Sequence, residues 1–220
     1  MLRANLYEDR MMLDSYVSGD DCRACGFGSR EEFVSKLRSG ELSSSRCRMN
    51  RTRFLALRWA ARPQEILPEV EVLQLPSPGP IGLFPLNKPG AHSPVLISGN
   101  STLTIEVLSS ILATTVSPFW YLVVDTLGHT VDMALVYGVF TAERVHRACL
   151  DEGLDEKAPR SEILLPGLAE PLCPELQKKM HCPVKTGPVC AAELPAFMGP
   201  DRWKVHGGKN FQCRDPEISL

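Results

Sequence analysis

The apolar positions along this chain change character near residue 94. Before it, apolar residues recur at helical spacing. Ser29 followed by Glu32 three residues on forms a capping box, which predicts a helix beginning at Arg30. Phe33, Val34 and Leu37 give that helix a narrow apolar face, and Gly40 ends it. Residues 1–20 predict one short helix, and Cys22 to Gly26 a tight turn. Phe54, Leu55, Leu57 and Trp59 mark an amphipathic helix within the basic stretch from Arg46 to Arg62, read as a docking element. Pro63, Pro68, Pro76, Pro78, Pro80, Pro85 and Pro89 then argue against helix and central strand alike. Residues 63–93 are accordingly expected to be an extended linker, with one strand near residues 70–75.

From Pro94 onward, short apolar runs alternate with helical patterns. Val95-Leu96-Ile97 reads as a buried strand and residues 102–115 as a helix. The unbroken run FWYLVV, Phe119 to Val124, suits a central parallel strand buried on both faces. Helices follow at residues 130–137, ended by Gly138, and 141–152, opened by Thr141. A strand at residues 162–165, a helix at 174–180, a strand at 184–185 and a helix at 189–197 complete the pattern. The expected fold class is α/β, a Rossmann-like doubly wound and mostly parallel sheet, with a small N-terminal helical cysteine-bearing segment. The expected organisation is residues 1–62, a linker over 63–93, and an α/β domain over 94–220. Ligands of such sheets sit beyond the carboxyl ends of the strands. The candidate loops are therefore residues 98–102, 125–133 and 166–172.

Composition narrows the function classes. With 44% hydrophobic and 23% charged residues in 220, the chain is globular in type. A net charge of −2 gives no basic field for nucleic acid. No apolar run reaches the ~20 residues a membrane span requires, so no membrane partner is expected. MLRANLYEDR has no apolar signal region, which predicts a cytoplasmic location. There is no G-x-G-x-x-G after a strand, no phosphate-loop motif and no G-x-S-x-G. The five histidines, His92, His129, His146, His181 and His206, show no zinc-type spacing. No general acid–base pair or nucleophile–base dyad stands out.

The eight cysteines carry the remaining chemistry. Cys22 and Cys25 form a C-x-x-C pair, and Cys47 follows after a helix that could fold back. Soft thiolates at such spacing suit zinc or an iron–sulfur cluster; a reduced pair with a bystander is the bland alternative. Cys173, Cys182, Cys190 and Cys213 are scattered over loops without pair spacing and read as inert, unless one of them completes a site by folding close to Cys47.

Two segments resemble one family. Cys22-x-x-Cys25-Gly26, Arg30, Phe33, Leu37, Gly40 and Cys47 stand in the register of the four-cysteine iron–sulfur domain of the corrinoid iron–sulfur protein large (gamma) subunit of the acetyl-CoA synthase/decarbonylase pathway. Arg30 stands where that pattern has its third cysteine. The run Asn87-Lys-Pro89, Pro94-Val-Leu-Ile-Ser98-Gly-Asn100-Ser-Thr-Leu-Thr104, Tyr121-Leu-Val-Val-Asp125-Thr126-Leu-Gly128, Gly138-Val-Phe140-Thr-Ala-Glu-Arg144, Ile163-Leu-Leu-Pro166-Gly167 and Gly187-Pro188 to Phe197 resembles the same subunit's corrinoid-binding domain. The barrel domain that lies between the two parts in the family is missing, and the proline-rich linker takes its place.

The resemblance implies a corrinoid (cobamide) held by Ser98, Asn100, Thr102, Thr104, Asp125, Thr126, Gly128, His129, Thr130, Met133 and Gly138. It also implies a 4Fe-4S or 3Fe-4S cluster on Cys22, Cys25 and Cys47. The implied role is a methyl-group and/or electron carrier working with a barrel-type methyltransferase or corrinoid protein subunit, part of a corrinoid-dependent methyltransferase system if of any enzyme. Met133 falls where the family has a threonine near cobalt. Leu135, Val136 and Tyr137 replace a patch of small residues. Either this loop has become ordinary packing, or Met133 or His129 changes the axial environment of the metal. The alternative function is a non-catalytic assembly, cofactor-loading or regulatory module on the same fold; a zinc-stapled α/β protein is a third reading.

Overall fold

A computed structural model describes residues 3–205. Two compact units emerge. A helical unit is made of Asn5–Pro68, Ser110–Val116 and Pro188–Leu220. A sheet unit is made of Met1–Ala4, Glu69–Ser109 and Ser117–Gly187.

The helical unit opens with α1 (Leu13–Tyr16), α2 (Gly19–Ala24), α3 (Arg30–Ser39) and α4 (Arg51–Ala61). Three helix starts are fixed by polar caps. The Ser18 hydroxyl accepts from the Asp21 N–H while the Asp21 carboxylate accepts from the Ser18 N–H at 2.8 Å, closing a capping box on α2. Ser29 accepts from the Glu32 N–H on α3, and Asn50 from Thr52 and Arg53 on α4. Gly40, at φ 75°, ends α3 in the left-handed conformation that glycine adopts at little cost. The single helix expected over LYEDRMMLDSYV reduces to a 3-10 turn at Glu8–Arg10 and the four residues of α1, and Val17 is extended to present Ser18 as a cap. Likewise, Cys22 lies inside α2 rather than in a turn.

Phe33, Leu37, Phe54 and Leu57 are each 1% exposed or less and form the centre of this unit. Burying one such side chain contributes about 1.5–3 kcal/mol. The amphipathic helix expected in the basic stretch forms as α4, and it docks within its own unit, burying Phe54, Ala56, Leu57, Trp59 and Ala60. Its cations are satisfied internally. Arg53 pairs with Asp21 at 2.9 Å and also donates to the Tyr16 carbonyl. Arg58 and Arg62 share Glu65 at 2.8 and 2.5 Å.

The sheet unit has five strands: β1 (Gly82–Leu86), β2 (Val95–Gly99), β3 (Phe119–Val124), β4 (Ile163–Leu165) and β5 (Val184–Thr186). Their order is β1-β3-β2-β4-β5. The four from β2 to β5 run parallel, and β1 lies antiparallel on the edge beside β3. The chain moves outward from β2 to β3 and then crosses back to β4 on the other side of β2, so the winding reverses at β2. Helices α5 (Thr102–Leu112), α6 (Val131–Val136), α7 (Ala142–Asp151), α8 (Leu154–Lys157) and α9 (Cys173–Lys179) fill the crossovers. Alternate residues Val95, Ile97, Leu122, Val124, Ile163 and Leu165 meet Ala134, Phe140, Val145 and Leu176 in one core. After β5 the chain returns to the helical unit, where Ala196 of α10 (Leu194–Met198) joins the core of that unit.

The α/β class holds, and the mainly parallel sheet with it. Two expectations within the proline-rich segment do not. The strand foreseen near residues 70–75 reduces to an isolated bridge between Arg3 and Glu71. The strand that does form there, β1, contains Pro85. It is tolerated because β1 is an edge strand with a single partner. Among the described residues, no helix is long and apolar enough to cross a membrane.

Candidate functional site

The carboxyl ends of β2 and β3 are joined by one polar brace. Asn100, 3% exposed, is its centre. Its side-chain oxygen accepts from the N–H of Thr126 (2.8 Å) and of Gly128 (3.0 Å), and lies 3.0 Å from the Thr126 hydroxyl. That hydroxyl accepts from the Asn100 N–H at 3.1 Å and also reaches the His129 carbonyl at 2.8 Å. Beneath the brace, the Ser98 and Tyr121 hydroxyls pair at 2.7 Å, and burial pushes the Tyr121 phenol well above its ordinary range. These neutral groups satisfy one another, which is what makes their burial tolerable.

The Asp125–Gly128 turn is held in an unusual shape. The Asp125 carboxylate accepts from the Leu127 N–H at 2.9 Å. Leu127 sits at φ 57° and Gly128 at φ 77°, two successive left-handed residues. Left-handed backbone at a leucine is uncommon and persists only where its surroundings enforce it. Here they do so to present an apolar side chain to solvent: Leu127 is 54% exposed. On α6, Met133, Val136 and Tyr137 are exposed as well, and the Tyr137 ring lies 4.9 Å from that of His129. Together they form an apolar rim on the turn and helix that follow β3.

Residues 77–79, part of the segment expected to be a linker, lie across these loops as a strap. The Ser77 N–H donates to the Gly128 carbonyl (3.1 Å), and the Ser77 carbonyl accepts from Thr102 (2.9 Å). The Gly79 N–H donates to the Asn100 carbonyl at 2.6 Å, and the Asn100 amide donates back to the Gly79 carbonyl at 3.3 Å. The approach is close enough that a Cβ on Gly128 would stand 2.5 Å from the Pro78 nitrogen. Ser101, bridged to Pro78, is fully buried, and its hydroxyl has no hydrogen-bond partner. Among the described residues it is the one buried side-chain polar atom in that condition.

Of the residues expected around a corrinoid, Ser98, Asn100, Asp125, Thr126, Gly128 and His129 thus converge at the ends of β2 and β3. Thr130 stands at the N-cap position of α6 without a side-chain cap hydrogen bond, Met133 lies on that helix, and Gly138 follows it at φ 65°. Thr102 and Thr104 open α5, Thr102 exposed and Thr104 half-buried. Sequence reasoning missed the strap and Ser101. The glycine at 79 and the prolines on either side of it were visible, but proline-rich composition signals an irregular path without saying what the path covers.

Cys22, Cys25 and Cys47 lie in the helical unit. Cys22 is buried, and its thiol lies 3.4 Å from the Ser18 carbonyl. Burial raises its pKa, and the neighbouring Asp21 carboxylate adds to the rise. Cys25 and Cys47 are half-buried and joined as a disulfide, with Cα atoms 4.3 Å apart. Arg30 is exposed and donates to the Asp14 carbonyl at 3.3 Å. Among the described residues, no three His, Cys, Asp or Glu side chains are grouped to hold a metal ion. The donor set does not fit an iron–sulfur cluster: two of the three thiols are bonded to each other, and Arg30 stands where the third cysteine of the pattern would be. The thiols of Cys149 and Cys190 are pushed up to about 12, chiefly by burial, and with buried Cys182 they are inert. Cys213 and His206 lie outside the described residues.

A sequence model of the family described as CO dehydrogenase/acetyl-CoA synthase delta subunit matches residues 66–198, more than half of the chain. The chain belongs to that family. The match takes in the strap, all five strands and the whole brace of this CO dehydrogenase/acetyl-CoA synthase delta-family member, and leaves out Cys22 to Cys47. The gamma subunit of the acetyl-CoA decarbonylase/synthase complex of Methanosarcina acetivorans is 34% identical over 119 residues, covering 53% of this chain and 25% of that protein. Its counterpart from Methanopyrus kandleri is 30% identical over 117 residues, with the same shares. That from Methanocaldococcus jannaschii is 26% identical over 161 residues, 70% of this chain and 33% of that protein. The chain therefore spans a quarter to a third of the length of these relatives, which are subunits of a multi-subunit complex.

Proposed function

We propose that the sheet unit is a Rossmann-like corrinoid-binding module, and that the chain carries a methyl group in concert with a barrel-type methyltransferase or corrinoid protein subunit. The observation that carries this reading is the apolar rim of Leu127, Met133, Val136 and Tyr137 set directly beside the Asn100–Thr126 brace. A corrinoid has two broad, largely apolar faces and an amide-rich edge, so it needs this combination of exposed apolar surface and fixed polar loops.

In this reading the cobalt supplies the nucleophile and the leaving group of methyl transfer, and the protein supplies position. Asn100 and Thr126 fix the two loops against each other. Met133, Val136 and Tyr137 keep water from one face. The rim needs a second wall, for which a separate barrel subunit would serve. Membership of a family named for one subunit of a larger enzyme supports such a partner. No cluster is included, because the cysteines do not fit one.

The test is to purify the protein without oxygen, incubate it with hydroxocobalamin, desalt it, and measure cobalt together with the ultraviolet–visible spectrum. About one cobalt per chain with a base-off spectrum supports the reading, and Val136→Asp should reduce retention at least tenfold. A folded protein that retains no cobalt would leave the second reading, a non-catalytic assembly module. The Cys25–Cys47 bond and Arg30, both departures from a cluster site, favour that reading.

A further inference from the structure

We infer that Cys25 and Cys47 are a reversible dithiol–disulfide pair that occupies the place of a metal centre in the helical unit. The backbone holds the two cysteines together independently of the sulfur–sulfur bond. Cys25 is the C-cap of α2, with its N–H on the Cys22 carbonyl at 3.1 Å. The Arg48 N–H, next to Cys47, donates to the Ala24 carbonyl, next to Cys25, at 2.9 Å. The Cα atoms are thereby held 4.3 Å apart, just under the separation disulfides usually span. Reduction leaves this frame in place, so the two thiols remain opposed and can close again.

Exposure separates these two from the third cysteine. Cys25 and Cys47 are half-buried and reachable by a small thiol, whereas Cys22 is 4% exposed. The accessible pair carries the chemistry and Cys22 stays in the core beside Phe33. Closing the pair consumes both thiolates that a metal would require. The position that would have completed a cluster is Arg30, a residue that donates no electron pair.

The redox step balances with a dithiol as reductant. One thiolate of the dithiol attacks one sulfur of the pair, the Cys25–Cys47 bond breaks, and a mixed disulfide forms. The second thiolate of the reductant then displaces the protein sulfur. The reductant leaves as its disulfide, and two electrons and two protons end on Cys25 and Cys47. In the reverse direction a small-molecule disulfide is the oxidant. The bond closes a loop of sequence separation 22 that contains α3, so its state sets how firmly that helix is tied to the end of α2.

The experiment equilibrates the full chain without oxygen in buffers of varied dithiothreitol to oxidised dithiothreitol ratio, quenches with an alkylating maleimide, and counts labels by intact mass. Iron and zinc are measured on the same samples, and circular dichroism confirms folding. The expected result is a single transition of two labels, with a Cys25–Cys47 peptide in the oxidised state. Cys22→Ser should keep the transition, and Cys25→Ser and Cys47→Ser should each abolish it. The wild-type label count decides the matter even if a variant fails to fold. One iron or zinc centre per chain lost with Cys25→Ser, an unchanged label count across the buffers, or a bridge containing Cys22 would each overturn the inference. Cobalt retention is a separate measurement, so failure here and failure of the corrinoid reading are told apart.

Discussion

The two units hold buried polarity in different ways. In the sheet unit it is neutral: Asn100, Thr126, Ser98 and Tyr121 bond to one another and to the backbone. In the helical unit it includes ionisable groups: the Asp21–Arg53 pair, the Glu193 carboxylate on the Met12 N–H at 2.7 Å, and the buried thiols of Cys22 and Cys190. A neutral brace keeps its geometry across pH and redox conditions, which suits loops that must hold a ligand in register. Ionisable locks do the reverse and make a region answer to its surroundings. The contrast sets groups that answer to acidity in the helical unit against neutral ones at the strand ends of the sheet unit.

The sharpest way to break this contrast is at the brace. Asn100→Ala strands the Thr126 and Gly128 N–H groups in a buried place, and should cost about 4 kcal/mol by urea unfolding. Hydrogen exchange should rise at residues 125–129. An unaltered midpoint would mean that the brace is not what fixes the loops. The corresponding cut in the helical unit is Arg53→Met, which leaves Asp21 buried without its cation. Because the pair is slightly open to solvent, about 2–3 kcal/mol is expected. Gly128→Ala ranks next. It forces a side chain against residues 77–78 at positive φ and should cost about 2 kcal/mol, with faster exchange in the strap.

Acidity separates the units without any substitution. Burial alone would raise the Asp21 carboxyl, but hydrogen bonds from Arg53 and Ser18 hold it below its ordinary range. Its contribution is therefore present above the unfolded aspartate pKa and is lost as pH falls through the lower folded value. Glu193 runs the other way. Burial, offset in part by the Met12 N–H, raises its pKa, so its contribution is present below the unfolded glutamate pKa and is lost as pH rises through the folded value. Exchange protection of the helical unit should therefore peak in mild acid, and Glu193→Gln should flatten the decline on the neutral side. Protection at residues 98–101 should vary least. The smallest effect on stability is expected from Val136→Asp, within about 0.5 kcal/mol for so exposed a residue, although it is the substitution chosen to abolish cobalt retention.

Much of the framework was legible in the sequence because its signals are local. FWYLVV gave the six residues of β3, and Ser29 and Gly40 gave both ends of α3. Thr141 was read as a cap, and it accepts from the Arg144 N–H at 3.2 Å. The failures share the opposite cause. β1 was hidden because Pro85 disqualifies a central strand, and only the sheet order reveals that this one lies on the edge. The candidate loops were placed by topology, but the bonds from Asn100 span 26 and 28 residues and leave no periodicity to read. The fate of the cysteines was equally non-local. C-x-x-C describes two thiols, whereas the partner that Cys25 takes is set by the Arg48–Ala24 contact.

The strap has a consequence for dissecting the molecule. A fragment begun at the proline-to-strand transition, residue 94, would look like a tidy domain on paper. It would lack β1, leaving the outer edge of β3 bare and ready to pair with other chains. It would also lack residues 77–79, uncovering Ser101 and the loop beside it. The sheet unit takes in residues 1–4, resumes at Glu69 and is interrupted by Ser110–Val116, so no single cut releases either unit whole. Trimming toward the sheet unit alone therefore has to begin well upstream of the first parallel strand.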